Sequence, residues 1–269
     1  LSLAMPTAAD EIDDNLSRIN LPPGFAIEIY ARVPNARSMA VANSWGSVFV
    51  GSRVGDTVHR LVDRDNDHRV DDVHVFARGL RMPNGIVFNN GWLYVVEQRR
   101  VIRYPVTGGE RDGSNAELLF EGLPNFSHHG WRYAAIGADD KLYIAVGAPC
   151  NICETRGLEG TIVRMPLDGS AGPEIYATGI RNSVGIDFHP TSGDMYFTDN
   201  GGDGMGDLIP PDELNRAGTA GLDFGFPRYG GGNISPRRDA SGNITGGTAD
   251  ASPPPELTMP AMELGAHGA

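Results

Sequence analysis

"RNSVGIDFHPTSGDMYFTDN", residues 181–200, carries the pattern that decides the fold. A polar pair leads into a short apolar strand, a Pro/Ser/Gly turn follows, and a second strand reads apolar-aromatic-apolar. The same grammar returns in "ARSMAVANSWGSVFVGSR" (36–53), "MPNGIVFNNGWLYVVEQ" (82–98) and "HGWRYAAIGADDKLYIAVG" (129–147). The second strands begin near Val48, Leu93, Leu142 and Met195, giving steps of 45, 49 and 53 residues. Steps of that size suit a propeller blade of four strands.

Each hairpin is followed by a matched piece, such as "RVIRYPVTGGERDGSNAELLFEGL" or "TIVRMPLDGSAGPEIYATGI", which ends in a Gly-apolar pair at Gly79, Gly122 or Gly179. These pieces predict the two outer strands of each blade. Helical periodicity is almost absent after the N-terminal region, so the sequence predicts an all-β propeller rather than a sandwich, which would not repeat one grammar at a blade-sized step. Residues 225–256 are too rich in Gly and Pro for core and too long for a turn, and are expected to form an irregular loop. "LTMPAMELGAHGA" (257–269) reads as the opening of a fifth unit. A propeller closes by pairing its last blade with its first, so the chain is expected to be an open piece of a longer product, about four blades and the start of a fifth, inactive by itself.

Composition narrows the function classes. Lys and Arg number 22 against 34 Asp and Glu, for a net charge of -12, and a polyanion such as nucleic acid would be repelled. No apolar run approaches the ~18 residues of a membrane-spanning helix. The opening "LSLAMPTAA" reads as the remnant of a signal peptide over residues 1–9, which implies export to a bacterial periplasm or beyond. The two cysteines, Cys150 and Cys153 in "PCNICE", cannot close a four-ligand zinc site alone, and a local disulfide is favoured over a redox pair. "DRDNDHRVDDVH" (63–74) sets Asp63, Asp65 and Asp67 at calcium-loop spacing, but His68 replaces the turn Gly and His74 the bidentate Glu. It reads as an outer hairpin turn.

In a propeller the residues just before each inner strand converge on one mouth of the central channel. Those positions carry Arg37-Ser38, Pro83-Asn84, His128-His129 and Arg181-Asn182, a polar and cationic ring.

Here the chain resembles the soluble quinoprotein glucose/sorbosone dehydrogenase family, in particular its sorbosone dehydrogenase-like branch, from about Leu21 onward. The most specific stretches are "HHGWRYAAIGADDKLYIAVGAPCNICE", "GIRNSVGIDFHP" and "DELN". The resemblance implies a six-bladed propeller holding pyrroloquinoline quinone over a Ca2+ ion at the channel mouth, and oxidation of an aldose or a sorbosone-like aldehyde. It implies that His129, eight residues before Gly137, is the general base, with His128 its neighbour; the chemistry needs a neutral imidazole near pH 7. Arg181 and Asn182 would face the cofactor, the permanent guanidinium suiting charge that develops on quinone oxygens. Main-chain carbonyls of Gly201 and Gly202 would meet the calcium, with Asp203, Asp207, Asp212 and Glu213 as direct or supporting ligands. Asn84 and His267 are further cofactor contacts it implies. Electrons would pass to an acceptor such as a cytochrome or a quinone.

The chain departs from the family in two places. Relatives often have Pro at the position of Gly202, and the glutamine-and-glycine segment they place near the quinone is not recognisable. Two other readings stay open: a lactonase-type propeller hydrolase with a channel metal, and a non-catalytic propeller that binds a protein or glycan.

Overall fold

A computed structural model describes residues 8–106 and 113–266. Among the described residues the fold is an all-β propeller of four blades, preceded by one α-helix, α1 (Ala8–Ser17). The first blade comprises β1 (Ala36–Ala42), β2 (Ser47–Ser52), β3 (Val58–Val62) and β4 (Asp72–Ala77). The second comprises β5 (Gly85–Asn89), β6 (Trp92–Val96), β7 (Arg100–Pro105) and β8 (Glu117–Glu121). The third comprises β9 (Ala134–Ile136), β10 (Lys141–Val146), β11 (Thr161–Pro166) and β12 (Glu174–Thr178). In the fourth, β13 (Gly185–Phe188), β14 (Met195–Asp199) and β15 (Glu213–Ala217) form a meander. Each named blade is antiparallel throughout.

The apolar-aromatic-apolar strands explain why the blades stack. Successive side chains on a strand point to opposite faces, so a strand buried on both faces can serve two interfaces at once. In β6, Leu93 and Val95 pack toward the first blade with Phe49 and Phe76, while Tyr94 and Val96 pack toward the third with Leu142, Ile144 and Val146. In β10 the alternate residues Tyr143 and Ala145 meet Ile186, Met195 and Phe197 of the fourth blade. The core is therefore three inter-blade seams, and each fully buried large side chain in them contributes about 1.5–3 kcal/mol. The first strands β1, β5, β9 and β13 line the channel, through Val41, Val87, Ala135 and Ile186 among others.

Residues after β15 differ from expectation. β16 (Leu222–Asp223) runs parallel to β12, at the edge of the third blade. The tract expected to be irregular contains a regular hairpin, β17 (Ile234–Arg238) with β18 (Ile244–Ala249). The segment expected to open a fifth unit instead supplies β19 (Met262–Glu263), which pairs with β15 as the outermost strand of the fourth blade. The long insertion between β15 and β19 hides this pairing from a reading of spacing. Residues 1–7, most of the stretch read as a signal-peptide remnant, lie outside the described residues, and Ala8 and Ala9 open α1. Among the described residues no helix is long and apolar enough to cross a membrane.

Candidate active site at the channel mouth

Residues that precede different blades meet in a pocket of about 380 Å3. Arg37 and Arg53 come from the first blade, His128, His129 and Trp131 from the lead-in to β9, Arg181 and Asn182 from the lead-in to β13, and Asn200, Gly201 and Asp203 from the loop after β14.

His129 sits at the floor, 6% exposed, with a left-handed backbone (φ 50) that non-glycine residues adopt at a cost. Its Nδ1 lies 3.0 Å from the carbonyl oxygen of Ala148. A carbonyl only accepts, so Nδ1 carries the hydrogen and Nε2 keeps its lone pair. Burial first, then the Arg181 cation and the His128 ring, push the imidazole pKa down to about 3, against the opposing pull of the Ala148 carbonyl and Asp203. His129 is thus a neutral base at physiological pH.

Two neighbours fix it. Gly147 directly follows β10 and lies against His129: a Cβ there would lie 2.6 Å from the Cβ of His129. Arg132, fully buried, donates from Nη1 to the His129 carbonyl (3.0 Å) and from Nη2 to the Pro124 carbonyl (2.7 Å). Its desolvation lowers its pKa to about 10, still charged at neutral pH.

Arg181 is 5% exposed and held like a fork. Nε and Nη2 donate to the carbonyl and the side-chain oxygen of Asn151, both at 2.8 Å. Nη1 reaches the Asn200 carbonyl at 3.1 Å, and Nη2 pairs with Asp203 at 2.9 Å. This leaves one Nη1 hydrogen without an acceptor among the described residues. The backbone of the pair is held separately, because the Asp199 carboxylate accepts the amide hydrogens of Arg181 (2.8 Å) and Asn182 (2.5 Å). Burial, then the facing Glu213 of β15, raises the Asp199 pKa.

Asn151 lies between Cys150 and Cys153, which form a disulfide. The bridge fixes the loop that holds Arg181, and Asn151 also ties down Asp203, accepting its amide hydrogen and donating to its carbonyl, both at 2.8 Å. Nothing in the sequence reading used Asn151, Asp199, Arg132 or Arg53. The signal for Asn151 was its position inside "CNIC"; Arg53, whose guanidinium lies 3.8 Å from the Trp131 ring centroid, follows β2 with no motif of its own.

The acidic loop divides its roles. Asp212, fully buried, accepts the Gly201 amide hydrogen at 2.7 Å. Glu213 is buried and accepts from Asn215 (2.8 Å) and from the Gly232 amide (3.1 Å). Neither lines the pocket, and Asp207 is exposed outside it. Gly202 packs tightly, since a Cβ there would lie 2.7 Å from Ile152 Cδ1. Asn84 does not line the pocket: it donates to the Arg132 carbonyl (2.8 Å) and accepts from Ser38 (3.3 Å), so both ends of its amide are committed to neighbouring blades. His267 lies outside the described residues.

Two kinds of ligand fit this chemistry. The buried Asn200 Oδ1 has no hydrogen-bond partner among the described residues, and Asn200 lines the pocket together with Gly201 and Asp203, residues that offer hard oxygens of the kind Ca2+ takes. Arg37, Arg53 and Arg181, with the unpartnered Trp131 Nε1, offer donors to a planar polyanion.

Fold and pocket together define a propeller with a buried imidazole and a guanidinium at the channel mouth. The chain belongs to the family described as "Domain of unknown function (DUF7133)", whose pattern matches residues 11–223. A protein of Borreliella burgdorferi described as uncharacterized is 32% identical over 240 residues; the match covers 84% of this chain and 60% of that protein. The calcium structure of a Trichoderma reesei carbohydrate-active enzyme of family AA12 shares the fold at a TM-score of 0.71 and 19% identity, over 87% of this chain and 68% of the other. The holo form of the pyranose dehydrogenase PQQ domain from Coprinopsis cinerea shares it at 0.63 and 15%, over 80% and 58%.

Proposed function

We propose that this protein is a quinoprotein oxidoreductase of the sorbosone dehydrogenase-like kind, oxidising an aldose or a sorbosone-like aldehyde with pyrroloquinoline quinone and Ca2+. The observation that carries the reading is His129: a desolvated imidazole whose Nδ1 is committed to the Ala148 carbonyl, so that Nε2 is the basic atom, in one pocket with Arg181. The AA12 calcium structure and the holo PQQ domain lend this fold a precedent for both groups.

Three cations would hold the carboxylates and quinone oxygens of the cofactor: Arg37, Arg53 and Arg181. Asn200 Oδ1, the Gly201 and Gly202 carbonyls and Asp203 would hold the calcium. When bound, the quinone supplies a two-electron hydride acceptor that side chains lack. His129 Nε2 takes the proton of the substrate hydroxyl, which forces electron density toward the C–H bond that must break. The remaining Nη1 hydrogen of Arg181 would be available to an oxygen on which negative charge develops. Arg132 and Gly147 keep the imidazole in register with both. An acceptor such as a cytochrome or a quinone would take up the electrons. The disulfide supports an exported, oxidising setting such as a periplasm.

The test is dye reduction by the full-length gene product, loaded with pyrroloquinoline quinone and Ca2+, against a panel of aldoses and sorbosone, wild type beside His129→Ala. Quinone-dependent turnover that collapses in the variant supports the reading. Lactone hydrolysis without quinone binding replaces it with a hydrolase.

A further inference from the structure

The outer turn between β3 and β4 is the second place where acids gather, and it lies apart from the channel mouth. Asp63, Asp65 and Asp71 bring carboxylate oxygens within 4.8 Å of one another. Among the described residues none of the three is ion-paired: the neighbouring Arg64 side chain pairs with Asp72 instead. Three like charges this close repel, and such a cluster alone would be only a solvated turn. Asp63 makes it more than that. It is 8% exposed, its Oδ2 accepts the His68 amide hydrogen at 3.0 Å, and its buried Oδ1 has no partner. A buried carboxylate oxygen left without a donor costs free energy that a cation would recover.

We infer that this turn binds a divalent cation, calcium by its chemistry, through Asp63, Asp65 and Asp71. Counted from Asp63 as the first position of a calcium loop, Asp65 is third, Asp67 fifth and Asp71 ninth, and the seventh position, where such loops use a backbone carbonyl, is Arg69. His68 at the sixth position adopts φ 67, the left-handed conformation for which such loops keep a glycine, so its side chain is no obstacle to the turn. Oxygens up to 4.8 Å apart fit around calcium, whose ligands lie about 2.3–2.6 Å from the ion. His74 stands where these loops place a bidentate Glu, so water completes the shell and the affinity belongs to the weak extracellular class, with Kd of about 10⁻⁴–10⁻³ M. The ion would tie β3 to β4 at the outer edge of the first blade, independently of the cofactor.

The experiment is equilibrium dialysis of the full chain against radioactive Ca2+ at millimolar concentration. Wild type is compared with Asp65→Asn/Asp71→Asn, both exposed positions where the variant keeps its fold by circular dichroism, and with Asp65→Asn alone. The double variant is expected to bind one ion fewer than wild type, and the single variant to bind that ion at least tenfold more weakly. Equal binding by wild type and the double variant, at any number including none, would overturn the inference.

Discussion

The channel-mouth pocket and the β3–β4 turn both collect charged and imidazole groups, yet they are assembled in opposite ways. The turn takes its carboxylates from nine consecutive residues, 63–71, and a single hairpin suffices to bring them together. The pocket draws on residues as far apart as Arg37 and Asp203, and needs every blade seam in place. A local motif can therefore be mutated with little effect elsewhere, whereas the pocket's side chains are wired into the packing that builds it.

That contrast can be broken or sharpened in order of expected effect. His129→Ala should lower kcat of the quinone-loaded enzyme by about 10²–10⁴ in dye-reduction assays, and also lower the thermal transition, because the buried ring and its bond to the Ala148 carbonyl are lost. Arg181→Lys should lower kcat by about 10²-fold and also lower the melting temperature, because one ammonium cannot serve the Asn151, Asn200 and Asp203 acceptors together. Gly147→Ala should destabilise the fold by about 1–3 kcal/mol in urea unfolding and shift His129 as its new methyl meets that residue's Cβ.

Acid should act through the same imidazole. With a folded pKa about 3 against the ordinary 6.5, the unfolded chain binds a proton that the folded one refuses, so stability is lost as pH falls from about 6.5 toward 3. His129→Asn should flatten that part of the melting-temperature profile; an unchanged slope would assign it to other groups. The smallest effect belongs to the turn: Asp65→Asn/Asp71→Asn should leave dye reduction unchanged while removing a calcium-dependent rise in melting temperature.

The sequence exposed what is periodic or local. Strands β2, β6, β10 and β14 begin within one residue of Val48, Leu93, Leu142 and Met195, because their residues must be apolar on both faces to serve two seams. Of the lead-in residues, Arg37, His128, His129, Arg181 and Asn182 line one pocket, with Gly201 and Asp203 from the loop after β14, whereas Ser38, Pro83 and Asn84 do not line it. What escaped was set by long-range geometry. Asn84 sits at the right point of its repeat, yet its amide is spent between blades. Arg132 and Asn151 act by holding backbone or a guanidinium in place, roles with no sequence pattern. β19 was concealed by the β17–β18 insertion, which separates it from its partner β15 by more than forty residues.

The most direct test of the account is the protonation state of His129, read by long-range 1H–15N NMR of the imidazole nitrogens and assigned through His129→Asn. The account predicts a neutral ring with the hydrogen on Nδ1 and Nε2 unprotonated at pH 5, where ordinary histidines are already charged. A ring that titrates near 6.5, or one that carries its hydrogen on Nε2, would contradict it.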